Sequence, residues 1–171
     1  MAPLAHNLRK RSEDFLISVI STGQHRELME QSLETFQIRP DTDLGVMATG
    51  QTLAKISSAV LVKMEFHLLQ NRPDAVLVHG DTSSALAAAL ASFYQKIPVG
   101  HVEAGLRTYN LRAPFPEEFN RQVISKISAW HFAPTESSAS NLLKEEVEKA
   151  AIIVTGNTVK METGYLKLAA A

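Results

Sequence analysis

A chain of 171 residues, 45% apolar and 20% charged, is long enough to bury a core and too apolar for intrinsic disorder. Seventeen basic and eighteen acidic residues leave a formal net charge of −1, which excludes an electrostatic case for nucleic acid or an anionic membrane surface. There is no cysteine, so disulfides and thiolate metal sites are excluded. With no apolar run of about 18 residues, a cytoplasmic protein is the expectation.

Met1 to Arg11 has amphipathic helical character rather than the apolar stretch of a signal peptide, and Arg9, Lys10 and Arg11 are expected to form its solvated end. Phe15 to Ile20 is a short β-rich run, followed by a polar turn and a helical stretch over 27–36. Pro40 to Gly45 reads as a turn-rich link, and Gln51 to Gln70 as one long helix. Ala75 to His79 is a compact strand, Ser83 to Gln95 an alanine-rich helix, and Ile97 to Val102 a further strand. Glu118 to Ile127 reads as a helix, Trp130 to Ala133 as a strand, Glu136 to Glu148 as a helix and Ile152 to Thr155 as a strand.

Apolar strands alternating with helices predict an α/β fold, a Rossmann-like, doubly wound parallel sheet. Ligands of such sheets bind beyond the carboxyl ends of the strands. Four strands end in polar or glycine-rich sequence: Ser21 to His25, His79 to Thr82, His101 to Arg107 and Thr155 to Thr158. Asp81 stands where a strand turns into a helix, so it is either an N-cap or a functional acid. Glu103 ends an apolar strand and must be solvated, paired or functional, with Arg107 four residues on as one partner for it. In Pro114 to Arg121, Pro116 suits the first helical position, and Glu117 and Arg121 lie one turn apart on a shared face. That pair is either a salt bridge on a capped surface helix or part of a site.

His79 and His101 near the strand ends lack a compact metal-ligand spacing, and either could orient a loop by hydrogen bonding. Neither G-x-G-x-x-G nor a Walker A sequence is present, so the usual nicotinamide and ATP phosphate loops are lacking.

The motifs TGQH, PDAVLVHGDT, FYQKIPVGHVEAGLRT, PFPEEFNRQ, HFAPTE and VTGNTV occur in an order and spacing that resembles the non-hydrolysing UDP-N-acetylglucosamine 2-epimerases. The likeness runs from Met1 to about Val159. It implies the N-terminal half of a B-type glycosyltransferase fold, with the nucleotide sugar held between two domains. It also implies interconversion of UDP-N-acetylglucosamine and UDP-N-acetylmannosamine by elimination and re-addition of UDP, without metal or redox cofactor. Residue by residue, Asp81, Glu103 and Glu117 match the family's catalytic carboxylates, and Arg121 its active-site arginine. Gln24 and His25 match an element near a second nucleotide-sugar site.

Family members carry a strand and a G-T-R-P-E-A-I-K segment ahead of M-A-P-L, whereas this sequence starts at Met1-Ala2-Pro3-Leu4. After Val159 the family continues into a second, UDP-gripping domain; here 160–171 read KMETGYLKLAAA. The expectation is an epimerase-like domain over 1–159 without the family's first strand, an atypical tail over 160–171, and no turnover by this chain alone. Unpaired strands would favour a homo-oligomer or association with a complete epimerase, the alternative being a non-catalytic interaction module.

Overall fold

A computed structural model describes residues 1–23, 39–46, 48 and 50–156. The chain divides into two compact units, one over Met1–Gln51 with Thr158–Ala171, the other over Thr52–Asn157. The expected helix over 27–36 and the tail over 160–171 lie outside the described residues.

In the first unit, helix α1 spans Ala2–Arg9, and two short parallel strands, β1 (Ile20–Ser21) and β2 (Thr42–Asp43), pair Ile20 with Thr42 and Ser21 with Asp43. Two residues of the basic cluster make ion pairs: Arg9 lies 2.8 Å from Asp41, and Arg11 lies 2.7 Å from Asp14 while stacking over Phe15. Two expectations need correction. The β-rich run from Phe15 becomes strand only at Ile20, and the link over 40–45 contains β2. Asp41 explains both, because its carboxylate accepts the Val19 N–H at 2.7 Å while its own N–H donates to the Val19 carbonyl. β-propensity becomes a strand only where a ladder partner is in register.

The second unit opens with α2 (Leu53–Asn71), which Thr52 caps by accepting the Lys55 N–H. Val60, Met64 and Leu68, spaced by four, form its buried stripe. There follow β3 (Val76–His79), α3 (Ser83–Tyr94), β4 (Val99–Val102), α4 (Glu117–Ile127), β5 (Trp130–Ala133), α5 (Glu136–Lys144) and β6 (Ile152–Val154). The four strands form one parallel sheet in the order β3-β4-β5-β6. No helix among the described residues is long and apolar enough to cross a membrane.

The register places Val78, His101, His131 and Ile152 in one row across the sheet. On that face Val78 and Val99 pack with Ala89 of α3 and Ile124 of α4, while Ala133 and Ile152 pack with Ala139 and Leu142 of α5. The three crossover helices therefore share a face, as right-handed connections require when strand order advances in one direction. On the opposite face, a Cβ on Gly100 would come 2.5 Å from Leu77 Cδ2 and 3.1 Å from Phe132 Cε2, so only glycine admits both neighbours.

His101 is fully buried, and its Nε2 donates to the Gly80 carbonyl at 2.8 Å. Burial lowers its pKa from 6.5 to about 4, outweighing that hydrogen bond, with His131, Arg107 and His79 adding repulsion. The unfolded chain takes up this proton below about pH 6.5, while the folded chain resists until about pH 4. The stabilisation is thus complete above pH 6.5 and is lost as pH falls towards 4, amounting to about 3 kcal/mol. Urea unfolding across this window should show that decline, and His101→Asn should flatten it; an unchanged slope in the variant would assign the decline elsewhere.

Candidate active site

Asp81 follows β3 at the carboxyl edge of the sheet, but it does not cap α3. Thr82 does so, its hydroxyl accepting the Ala85 N–H at 3.1 Å. Asp81 is thereby left for long-range contacts, and both come from adjacent residues of α4. Arg121 Nη2 lies 2.6 Å from Asp81 Oδ2, and Asn120 Nδ2 donates to the Asp81 carbonyl at 2.7 Å. The capping role that local sequence suggested for Asp81 is therefore overturned.

Glu103 directly follows β4 with φ of 67°, a left-handed conformation costly for a side chain with a Cβ. Its Oε2 lies 3.4 Å from His79 Nε2 and 3.6 Å from where a Cβ on Gly80 would sit. Gly80, itself at φ 68°, leaves room for the carboxylate to fold back over the β3 end. Burial is the largest influence on Glu103 and raises its pKa above the ordinary carboxylate value. The Asp81 charge raises it further, and Arg121 opposes both.

Arg107 is not the partner of Glu103. Its fully buried side chain makes a bidentate pair with Glu145 at 2.7 and 2.8 Å and donates to Ser125 Oγ, tying the loop after β4 to α4 and to the end of α5. Gly105, two residues ahead, has φ of 85°, and a Cβ there would collide with the Ser138 carbonyl. That close approach seats α5 under the loop.

Glu117 occupies the first position of α4, with Pro116 as the preceding cap residue rather than the first helical one. Glu117 is half-buried and has no hydrogen bond or ion pair among the described residues. The one-turn spacing of Glu117 and Arg121 does not produce a salt bridge, because Arg121 turns to Asp81 and, at 3.6 Å, to Glu118. Asp81, Glu103 and Arg121 are brought together, with Glu117 one helical turn before Arg121. Gln24 and His25 lie outside the described residues.

Sequence reasoning passed over Glu118. Its side chain is wholly buried, yet Oε2 accepts the Thr108 N–H at 3.0 Å, and Oε1 accepts the Tyr109 N–H at 3.0 Å and Gln122 Nε2 at 2.8 Å. Burial would raise its pKa, but these donors and the Arg121 charge outweigh it and hold Glu118 below the usual carboxylate range. Its position three residues before Arg121 was the available signal.

The histidines orient the backbone: His101 donates to Gly80 and His131 Nε2 lies 2.9 Å from the Ser125 carbonyl. Among the described residues, no three histidine, aspartate or glutamate side chains gather as metal ligands.

The sequence model of the UDP-N-acetylglucosamine 2-epimerase family matches residues 6–169. The chain belongs to this epimerase family. It is 51% identical over 159 residues to the UDP-N-acetylglucosamine 2-epimerase of Neisseria meningitidis serogroup A, covering 93% of this chain and 42% of that protein. The chain thus spans about two fifths of the length of the curated relatives it matches. The crystal structure of the Neisseria meningitidis epimerase bound to UDP-GlcNAc superposes with a TM-score of 0.88 at 51% identity, over 93% of this chain and 43% of that one. The Methanocaldococcus jannaschii epimerase in complex with UDP-GlcNAc and UDP gives 0.86 at 36% identity, over 92% and 43%. The parallel α/β architecture is that of the matched part of these epimerases, whose fold is GT-B-like.

The grouping of Asp81, Glu103 and Arg121 makes a directional prediction for Glu103. Asp81→Asn should lower the Glu103 pKa towards its ordinary value, and Arg121→Gln should raise it further. Carboxyl carbon NMR titration reads both; shifts in the reverse sense would show that the two charges do not act on Glu103.

Proposed function

We propose that this chain carries the carboxylate cluster of a nucleotide-sugar 2-epimerase, with Asp81, Glu103 and Glu117 as acid–base groups and Arg121 as their neighbouring cation. The supporting observation is the contrast between two neighbouring acids. Asp81 is ion-paired with Arg121, while Glu103 is pushed towards its protonated form. Carboxyl groups in unequal environments can serve as base and acid at one pH.

The substrate reading is UDP-N-acetylglucosamine, which is bound in two similar epimerases, those of Neisseria meningitidis and Methanocaldococcus jannaschii. In the elimination, a carboxylate takes the C2 proton, the C1–oxygen bond breaks, and its electron pair leaves with UDP. The product is 2-acetamidoglucal. Re-addition of UDP at C1 with protonation of the opposite face of C2 gives UDP-N-acetylmannosamine. A weakly acidic C2–H needs a positioned base, and the departing phosphate benefits from an acid or cation beside it.

The domain reading is an epimerase-like unit over 1–159, with 160–171 as a tail of atypical sequence. Homo-oligomerisation is also proposed, now from an exposed stripe rather than an unpaired strand. Val62, Phe66 and Leu69 lie at i, i+4 and i+7 on the solvent side of α2.

Two outcomes are expected. These 171 residues alone, incubated with UDP-N-acetylglucosamine in deuterated water, should incorporate no deuterium at C2, whereas a chain of the relatives' full length bearing this segment should. Incorporation by the short chain would refute its inactivity, and none by the long chain would refute the epimerase assignment. Light scattering should show association that Phe66→Glu weakens; a monomer at every concentration would remove the oligomer proposal.

A further inference from the structure

We propose that Glu118 is a positioning residue that aims Arg121 at Asp81 and ties the loop after β4 to the same arginine. A carboxylate removed from water must be compensated by donors, and Glu118 has gathered them from three places. Thr108 and Tyr109 donate backbone N–H groups from the loop, Gln122 donates its side-chain amide from the next helical turn, and Arg121 approaches with Nη1. Tyr109 adopts φ of 59°, and its N–H and that of Thr108 both converge on one carboxylate.

The guanidinium of Arg121 is consequently held at two edges, Nη2 by Asp81 at 2.6 Å and Nη1 by Glu118 at 3.6 Å. Its Nε is buried without a hydrogen-bond partner among the described residues, where the two Nη contacts orient the plane. Because the fork is rigid, fixing one edge fixes the direction of the other. Glu118 thus acts on Asp81 through Arg121, and the chain segment 108–109 moves with that arrangement. The inference rests on the reading of Asp81 and Arg121 as parts of the site, but its test follows side chains and not turnover.

The test is solution NMR on the 171-residue chain, comparing wild type with Glu118→Gln and, separately, Gln122→Ala. Glu118→Gln keeps the side-chain length and one acceptor while removing the charge. In wild type the Arg121 Nη signals should be resolved and slow to exchange. In Glu118→Gln they should average, and exchange at the Thr108 and Tyr109 amides should accelerate about tenfold or more, as expected when their hydrogen bonds lose the acceptor's charge. Gln122→Ala should move the same signals in the same direction by a smaller factor.

A faster Thr108 and Tyr109 exchange with unchanged Arg121 signals would make Glu118 a loop cap alone and overturn the inference. If circular dichroism shows Glu118→Gln to be unfolded, Gln122→Ala decides: a shift at Arg121 upholds the positioning role and an unmoved Arg121 refutes it. Either result stands whether or not the deuterium experiment succeeds.

Discussion

The contact on which the site depends is the ion pair between Asp81 at the end of β3 and Arg121 on α4. Its geometry is set from both sides of one residue. Arg121 takes the Asp81 carboxylate, while Asn120 takes the Asp81 carbonyl. Two adjacent helix positions therefore hold a side chain and a backbone group across nearly forty residues of sequence. Because Thr82 caps α3 itself, the Asp81 carboxylate is not needed over the first turn of that helix and can turn to Arg121.

Around this pair the sheet supplies the rigidity. Val78, His101, His131 and the half-buried Ile152 form one row, and helices α3, α4 and α5 close over it from one side. His101 reaches the Gly80 carbonyl and His131 the Ser125 carbonyl, so the interior polar groups of β4 and β5 brace the turn after β3 and the end of α4. The buried Arg107–Glu145 pair does the same for the loop after β4. Glu103 is then held in a left-handed conformation that a flexible loop would relax, and it shares its surroundings with Asp81 and Arg121.

Much of this was legible along the chain. The second unit has its strands and helices within a few residues of their sequence-expected bounds, because hydrophobic period and capping residues act over short distances. The first unit was less legible. Its β-rich run from Phe15 forms strand at Ile20 and Ser21, where β2 is in register, and β2 itself lay within a segment that reads as turn. The family motifs located Asp81, Glu103, Glu117 and Arg121, but they did not distinguish Glu118 from its neighbour.

By itself the sequence determined the parallel α/β class, the family and the positions of the acids at strand ends and a helix start. Those features follow from side-chain period, turn chemistry and motif order, which are properties of neighbouring residues. Tertiary structure decided how the charges combine. Arg107 goes to Glu145 rather than to Glu103, and Arg121 goes to Asp81 and Glu118 rather than to Glu117. Helical spacing brings two charges within reach of each other, but burial decides which partners are short of compensation, and that depends on elements far apart in the chain.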